Sequence, residues 1–252
     1  MSTTAQKLIN QAAPLTRLAT WIASQCPRFS LGQCLLCGAL SGASEDICLD
    51  CLSDLPWPQR PCSRCAEELQ PEADASWCER CLLTPPVFDS CIPLLRYEFP
   101  ARELIAGFKF HARFAAGRAL GALLAETMLS TCHDQLPEVL VPVPLHPQRL
   151  RQRGFNQSTL LAQAVSSRSG IPVLNCVSRV RATTAQRTLR ATARQDNLKD
   201  AFVVEWKHLR HVQHVAIVDD VVTTMNTANS LSTALRNAGV THIDVLCAAR
   251  VS

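Results

Sequence analysis

Apolar residues fall into two regimes along this chain. From residue 87 onward, short apolar runs alternate with longer stretches in which apolar positions recur every three or four residues, whereas residues 31–84 hold few large apolar side chains, among them Leu35, Leu36, Leu52, Trp57 and Trp77. The runs Cys91–Phe99, Val139–Leu145, Val215–Val222 and His242–Ala249 read as buried strands, and a shorter strand fits within Ile171–Val177. Helical spacing covers about Ala101–Ser130, with Leu104, Ile105, Phe108, Leu120, Leu123 and Leu124 facing inward, then Leu160–Val165 and Thr227–Asn237, where Gly239 marks the stop. Strands alternating with helices predict an α/β fold built on a parallel sheet flanked by helices.

Ahead of this pattern, Leu8, Ile9, Ala12, Leu15, Leu18, Trp21 and Ile22 lie at helical spacing broken by polar residues and Pro14. That predicts an amphipathic helix within residues 1–30, not the continuous apolar core of a signal peptide. No apolar run approaches the roughly 18 residues of a membrane span, so a cytoplasmic location is expected. Pro85-Pro86 reads as a linker, which separates a Cys-rich region at 31–84 from an α/β domain at 87–252. At 252 residues and 47% hydrophobic, the chain can bury a sizeable core in one or two domains.

Eight of the 13 cysteines form four C-x-x-C pairs: Cys34/Cys37, Cys48/Cys51, Cys62/Cys65 and Cys78/Cys81. Each pair can turn two thiolates onto one tetrahedral metal, and two pairs complete a closed Cys₄ site with no open position for catalysis. A double zinc ribbon with two structural zinc ions follows, with metal supplying much of the folding free energy that the sparse apolar content cannot. Ligation is either sequential or interleaved. Disulfide-bonded loops would use the same residues, but a reducing compartment and the repeated spacing argue against them. Cys26, Cys91, Cys132, Cys176 and Cys247 lie outside the pairs and read mostly as buried thiols.

Charge divides the chain again. Residues 1–91 hold 6 Lys/Arg and 10 Asp/Glu, a formal charge of −4, while residues 92–252 hold 19 and 11, a formal +8. Residues 149–199 alone carry 10 Lys/Arg against Asp196, which points to an anionic ligand larger than one phosphate or to a nucleic-acid surface.

The densest candidate chemistry lies in Val215-Ala-Ile-Val-Asp-Asp-Val-Val-Thr-Thr-Met-Asn-Thr227. A strand ends in Asp219 and Asp220, passes through Val221, Val222, Thr223, Thr224 and Met225, and enters a helix near Asn226 and Thr227. In an open α/β sheet, ligands bind beyond the carboxyl ends of the strands, where the next helix offers unpaired N–H groups to an anion. Hydroxyl and amide side chains there suit a phosphate, and the paired acids suit a sugar diol; together they describe a ribose 5-phosphate. The alternative is a strand whose acids merely cap the helix. The whole segment resembles the 5-phosphoribosyl-1-pyrophosphate (PRPP) motif of type I phosphoribosyltransferases, in which the acids hold the ribose hydroxyls and the Thr-rich loop wraps the 5-phosphate. Met225 stands where that motif usually carries Gly, whose freedom at positive φ shapes the loop.

Three further stretches are candidates for anion contacts. Lys109, between Phe108 and Phe110, is either a snorkelling surface residue or a pyrophosphate contact. Arg149, Arg151 and Arg153, followed by Gly154 and a Phe-Asn-Gln-Ser helix start, predict a basic loop. Arg181–Asn197, with Arg187, Arg190 and Arg194, reads as a helix or an Arg-bearing lid. The seven histidines are scattered, none has ligand spacing with a cysteine pair, and His208, His211 and His214 read as a polar loop.

Taken in order, the four C-x-x-C pairs, Phe108-Lys-Phe110, Val141-Pro-Val-Pro-Leu145, Arg153-Gly-Phe-Asn-Gln-Ser158, Thr184-Ala-Gln186 with Leu189, Arg194 and Asn197, Ala201-Phe202, and Val218-Asp-Asp-Val-Val-Thr-Thr224 resemble the ComF/GntX (ComFC) group of amidophosphoribosyltransferase-like proteins. The resemblance covers about residues 34–250. It implies a small zinc ribbon preceding a type I phosphoribosyltransferase-like parallel sheet flanked by helices. It further implies a role in handling incoming single-stranded DNA during natural transformation, with DNA-uptake or recombination proteins as partners, or in the use of DNA as a nutrient. On that resemblance Asp219 and Asp220 hold the ribose diol and Thr223, Thr224, Asn226 and Thr227 the 5-phosphate. Lys109, Arg151 and Arg153 meet the pyrophosphate with Mg²⁺, and Arg149, Arg151, Arg153, Arg187, Arg190 and Arg194 are nucleic-acid candidates. An active phosphoribosyltransferase with an unidentified acceptor and a PRPP-sensing regulator are the alternatives.

Overall fold

A computed structural model describes residues 32–41, 46–70, 76–132, 135–180 and 201–251. The expected N-terminal amphipathic helix and the segment bearing Arg187, Arg190 and Arg194 lie outside the described residues. The chain divides into two compact units, one ending at Asp54 and one beginning at Leu55. The first contains α1 (Leu49–Ser53) and the first two cysteine pairs. The second contains the other two pairs, α2 (Glu79–Leu83) and every larger element.

These are β1 (Ser90–Arg96), α3 (Ala101–His111), α4 (Phe114–Thr131), β2 (Val139–Pro142), α5 (Pro147–Arg153), α6 (Gln157–Ser169), β3 (Val177–Arg179), β4 (Phe202–Val204), a 3₁₀ turn at Trp206–His208, β5 (His214–Val222), α7 (Asn226–Asn237) and β6 (His242–Arg250). Four strands form one parallel sheet in the order β1-β6-β5-β2. Helices cover the sheet, so Val215, Ala216, Ile217 and Val218 are all buried, and β5 reads as an unbroken apolar run until its two acids. β3 and β4 form a separate antiparallel pair, with Val177 opposite Val204.

Differences from the sequence reading have local causes. The stretch Ala101–Ser130 is two helices: Ala112 adopts left-handed backbone at φ 50°, and both chain amides at the break turn back to the Gly107 carbonyl. The strand expected within Ile171–Val177 reduces to a parallel bridge between Leu140 and Val173, with β3 beginning at Val177. The basic loop is instead the short helix α5. Pro147 opens it, the His146 ring accepts from the Gln148 amide, and Gly154 closes it at φ 83°. His214 does not belong to a polar loop; it begins β5, buried, with Nε2 2.7 Å from Asp244 Oδ2.

Close packing delivers α6 to the site. A Cβ on Gly121 would lie 2.4 Å from the Ala164 side chain, so glycine lets α4 and α6 approach. Asn156 caps α6 by accepting from the Ser158 amide and donates its Nδ2 to the Val143 carbonyl at 3.0 Å. The Val143 amide in turn donates to the Val218 carbonyl, one residue before the acid pair. The first turn of α6 is thereby fastened to the carboxyl ends of β2 and β5.

Candidate phosphate site and metal centres

The four cysteine pairs close into two clusters, Cys34/Cys37/Cys48/Cys51 and Cys62/Cys65/Cys78/Cys81, with all ligand atoms of each cluster within 4.8 Å of one another. Ligation is therefore sequential. A tetrahedral zinc with Zn–S near 2.3 Å sets sulfur atoms about 3.8 Å apart. The separations of 3.7 Å for Cys37–Cys48 and 3.5 Å for Cys65–Cys78 fit that requirement. Burial opposes the thiolates of Cys34 and Cys62, but surrounding backbone N–H groups overcome it and bring them down to about 6 and about 7. A thiolate is the form that binds metal.

Both clusters are built on the same backbone. The Gly38 amide donates to the Cys34 carbonyl and the Ala66 amide to the Cys62 carbonyl, with Gly38 at φ 73° and Ala66 at φ 57°. Cys48 and Cys78 then start short helices from almost identical extended conformations, φ −72°, ψ 160° and φ −74°, ψ 159°.

At the carboxyl end of β5, four contacts hold the acid pair. Ser158 donates its hydroxyl to Asp219 Oδ1 at 3.0 Å, and the Asp220 amide donates to the same oxygen at 2.9 Å. Asp220 Oδ1 accepts from the Val221 amide, and Asp220 Oδ2 lies 2.6 Å from Lys109 Nζ. Burial raises the Asp219 carboxyl to about 7; the Asp220 charge adds to the shift, while Lys109 opposes it. Asp220 is only 4% exposed and Asp219 partly so, and Lys109 supplies the charge that the buried Asp220 carboxylate requires.

The turn that follows is differently disposed. Among the described residues, no backbone carbonyl accepts from the amides of Thr223, Thr224, Met225, Asn226 or Thr227. Thr223 and Thr224 are exposed, and Asn226 and Thr227 are partly so. Met225 occupies the left-handed region at φ 62°, ψ 0°, the conformation that glycine would adopt most readily, and its side chain is buried. Left-handed backbone costs an L-residue about 1–2 kcal/mol, whereas burying a Met side chain stabilises by about 1.5–3 kcal/mol, so packing outweighs the strain. The loop keeps a glycine-like shape without glycine. The start of the twelve-residue helix α7 thus leaves its first amides without backbone acceptors, at the end of a helix where the dipole is positive.

Cations surround the acids unequally. Arg153 donates to Gln157 Oε1, lies 5.6 Å from the centre of the Phe110 ring, and is lowered in pKa by burial, an effect that the Asp220 charge opposes and the Arg149 charge reinforces. Arg179 at the end of β3 is also lowered by burial; Arg149 adds to that shift and Asp219 opposes it. Arg151 points elsewhere: it is exposed and folds back toward the Pro147 carbonyl of its own turn. Helical spacing explains the split, since Arg149 and Arg153 are four residues apart on one face and Arg151 lies between them on another. Thus Lys109 and Arg153 join the acid pair, Arg149 lies beside Arg153 and Arg179, and Arg151 turns away. Ser158 and Arg179 also belong to the site; the Phe-Asn-Gln-Ser helix start was visible in the sequence, but nothing local marked Arg179.

A family described as a double zinc ribbon domain matches residues 27–82. Over 227 residues, covering 86% of this chain and 96% of the relative, the chain is 38% identical to "Competence protein F" of Haemophilus influenzae. It is 35% identical to "DNA utilization protein YhgH" of Salmonella typhimurium, covering 87% of this chain and 97% of that protein, and 35% identical to the protein of the same name in Escherichia coli, covering 87% and 90%. Among solved structures it is similar to the allosteric regulatory enzyme of purine biosynthesis at 19% identity and a TM-score of 0.37, over 53% of this chain and 26% of that one. It is also similar to the glutamine PRPP amidotransferase of B. subtilis complexed with ADP and GMP, at 17% identity and a TM-score of 0.39, over 57% of this chain and 30% of that one. No helix among the described residues is long and apolar enough to cross a membrane.

Proposed function

This chain belongs to the ComF family, with competence protein F and the DNA utilization protein YhgH, and from that premise we propose that it binds PRPP and serves in the uptake or use of DNA. The observation that carries the ligand assignment is the run of open amides from Thr223 to Thr227, placed between two carboxylates and the start of α7. The 5-phosphate sits on those amides with the side chains of Thr223, Thr224, Asn226 and Thr227, and the ribose diol donates to Asp219 and Asp220. Lys109 exchanges partners on binding: it leaves Asp220 Oδ2 for the pyrophosphate, and the freed oxygen accepts a ribose hydroxyl. Arg153 and Arg149 add positive charge on the same side. Mg²⁺, carried with PRPP, offsets pyrophosphate charge. Isothermal titration of Mg²⁺–PRPP into the wild type and Asp219→Asn/Asp220→Asn tests this reading. Heat from the wild type that disappears in the variant is expected; no heat from the folded wild type ends it.

The role in DNA handling rests on the names of the relatives and on the basic helix α5. Single-stranded DNA should bind with an affinity that falls steeply between low and high salt, because phosphate contacts release counterions. Replacing Arg149 and Arg153 by Gln should shallow that slope. Salt-independent binding would refute the DNA surface while leaving the PRPP site intact.

A further inference from the structure

The guanidinium of Arg250 ends β6, is only 2% exposed, and connects two parts of the molecule that the sequence keeps far apart. On one side Nε donates to the carbonyl of Cys65 at 2.9 Å, and Nη2 donates to Glu67 Oε2 at 2.7 Å. On the other, Nη1 donates to the Thr223 carbonyl at 2.7 Å and the Val222 carbonyl at 3.3 Å, as well as to the Val251 carbonyl. Cys65 is a ligand of the second metal cluster, and Val222 and Thr223 open the phosphate loop.

We propose that Arg250 is a positioning residue through which the zinc-loaded second knuckle holds the phosphate loop in its ligand-binding shape. The physical requirement is acute because a buried guanidinium must keep its partners. Zinc fixes the Cys62–Cys65 turn, and that turn aims the Cys65 carbonyl and Glu67 at Arg250. Arg80 Nη2, 2.9 Å from the same Glu67 oxygen and 3.9 Å from Cys65 Sγ, braces the knuckle end. With its own position set, Arg250 holds the Val222 and Thr223 carbonyls on the side opposite the open amides. Loss of zinc releases the turn, Arg250 loses two acceptors, and the loop loses its anchor. Lys would retain the charge facing Glu67 but not the planar fork that reaches both sides.

The assignment of the ligand rests on the PRPP reading above, so the test carries a readout independent of it. Of the three methionines in the sequence, Met225 lies in the loop and Met128 lies fully buried in α4. In protein labelled with ¹³C at the methionine methyl groups, Arg250→Lys and the zinc-deficient Cys62→Ser/Cys65→Ser should each move the Met225 signal and leave the Met128 signal in place. Cys34→Ser/Cys37→Ser should move neither. Titration of the same proteins should give a loss of PRPP affinity of about tenfold for Arg250→Lys, the size expected for one charge-assisted hydrogen bond. Linkage also requires that PRPP raise the affinity of the second cluster for zinc by the same factor, read by chelator competition at equilibrium, and leave that of the first unchanged. An unmoved Met225 signal together with unchanged PRPP affinity, in variants whose Met128 signal certifies the fold, overturns the proposal. A moved Met225 signal in a protein that takes up no PRPP keeps the strut and discards the ligand.

Discussion

The two zinc knuckles share a backbone and differ in what surrounds them. In each, a C-x-x-C turn is followed by a residue at positive φ, and the second cysteine pair starts a short helix. Yet in the first cluster Cys37 is exposed and Cys48 and Cys51 are partly so, whereas in the second Cys62, Cys65 and Cys81 are at most 1% exposed. Those three belong to the same apolar cluster as Phe88, Val222 and Met225. A repeated metal-binding turn thus serves in one copy as a self-contained unit and in the other as part of the core beneath the candidate ligand loop. What sequence repeats is the turn; what differs is the surroundings.

The sharpest way to break this contrast is to remove each metal in turn. Cys62→Ser/Cys65→Ser should lower the melting temperature of the larger unit by about 10 °C, the equivalent of a few kcal/mol for a unit of this size. Cys34→Ser/Cys37→Ser should leave that transition within about 2 °C, as scanning calorimetry with a zinc count would verify. Equal losses would erase the distinction between the knuckles.

The acid pair offers the next largest effect. With its carboxyl raised to about 7 in the folded state from an ordinary 3.8, Asp219 contributes stability that is fully present below pH 4. That contribution is lost as pH rises toward 7, on the order of 4 kcal/mol across the window, and stability is flat with respect to this group above it. Denaturant unfolding between pH 4 and 8 should show the decline in the wild type and lose it in Asp219→Asn. A slope that survives the substitution assigns it to another group.

Lys109→Ala comes third, at about 2 kcal/mol. Breaking a buried pair costs about 3–5 kcal/mol, discounted here because the Lys109 side chain is 25% exposed. In Lys109→Ala/Asp220→Asn most of that loss should return, and a double-mutant cycle with no coupling would remove the ion pair from the account. Smallest is Met225→Gly, a net destabilisation of about 1 kcal/mol, because lost apolar burial exceeds relieved backbone strain. Stabilisation by glycine would show that strain had the larger share.

Much of this architecture was legible because its signals are contiguous. The strands announce themselves as apolar runs, since helices bury both faces of a parallel sheet, and the clusters announce themselves by spacing. The acids and the Thr loop follow one another in nine residues, Asp219 to Thr227, so their chemistry could be read together. Residues that reach the site from a distance were not legible in the same way. Arg179 and Arg250 acquire their roles only when β3 and β6 are placed, and Arg250 reads in sequence as a basic residue near the chain's end. α5 was hidden by composition: its one large apolar residue, Leu150, is 41% exposed, so its stability comes from Pro147, the His146 cap and Gly154. The break at Ala112 had no sequence mark, because alanine is a favourable helix residue that tertiary packing here forces into left-handed backbone. His214 has the sequence mark of a loop residue because its burial depends on Asp244, which faces it from the neighbouring strand.

The decisive measurement is NMR of the labelled protein during a PRPP titration in the presence of Mg²⁺. The amide signals of Thr223, Thr224, Met225, Asn226 and Thr227 should shift together and saturate, and the Lys109 ammonium should move with them. Saturable binding that leaves those five amides in place would contradict binding on the phosphate loop.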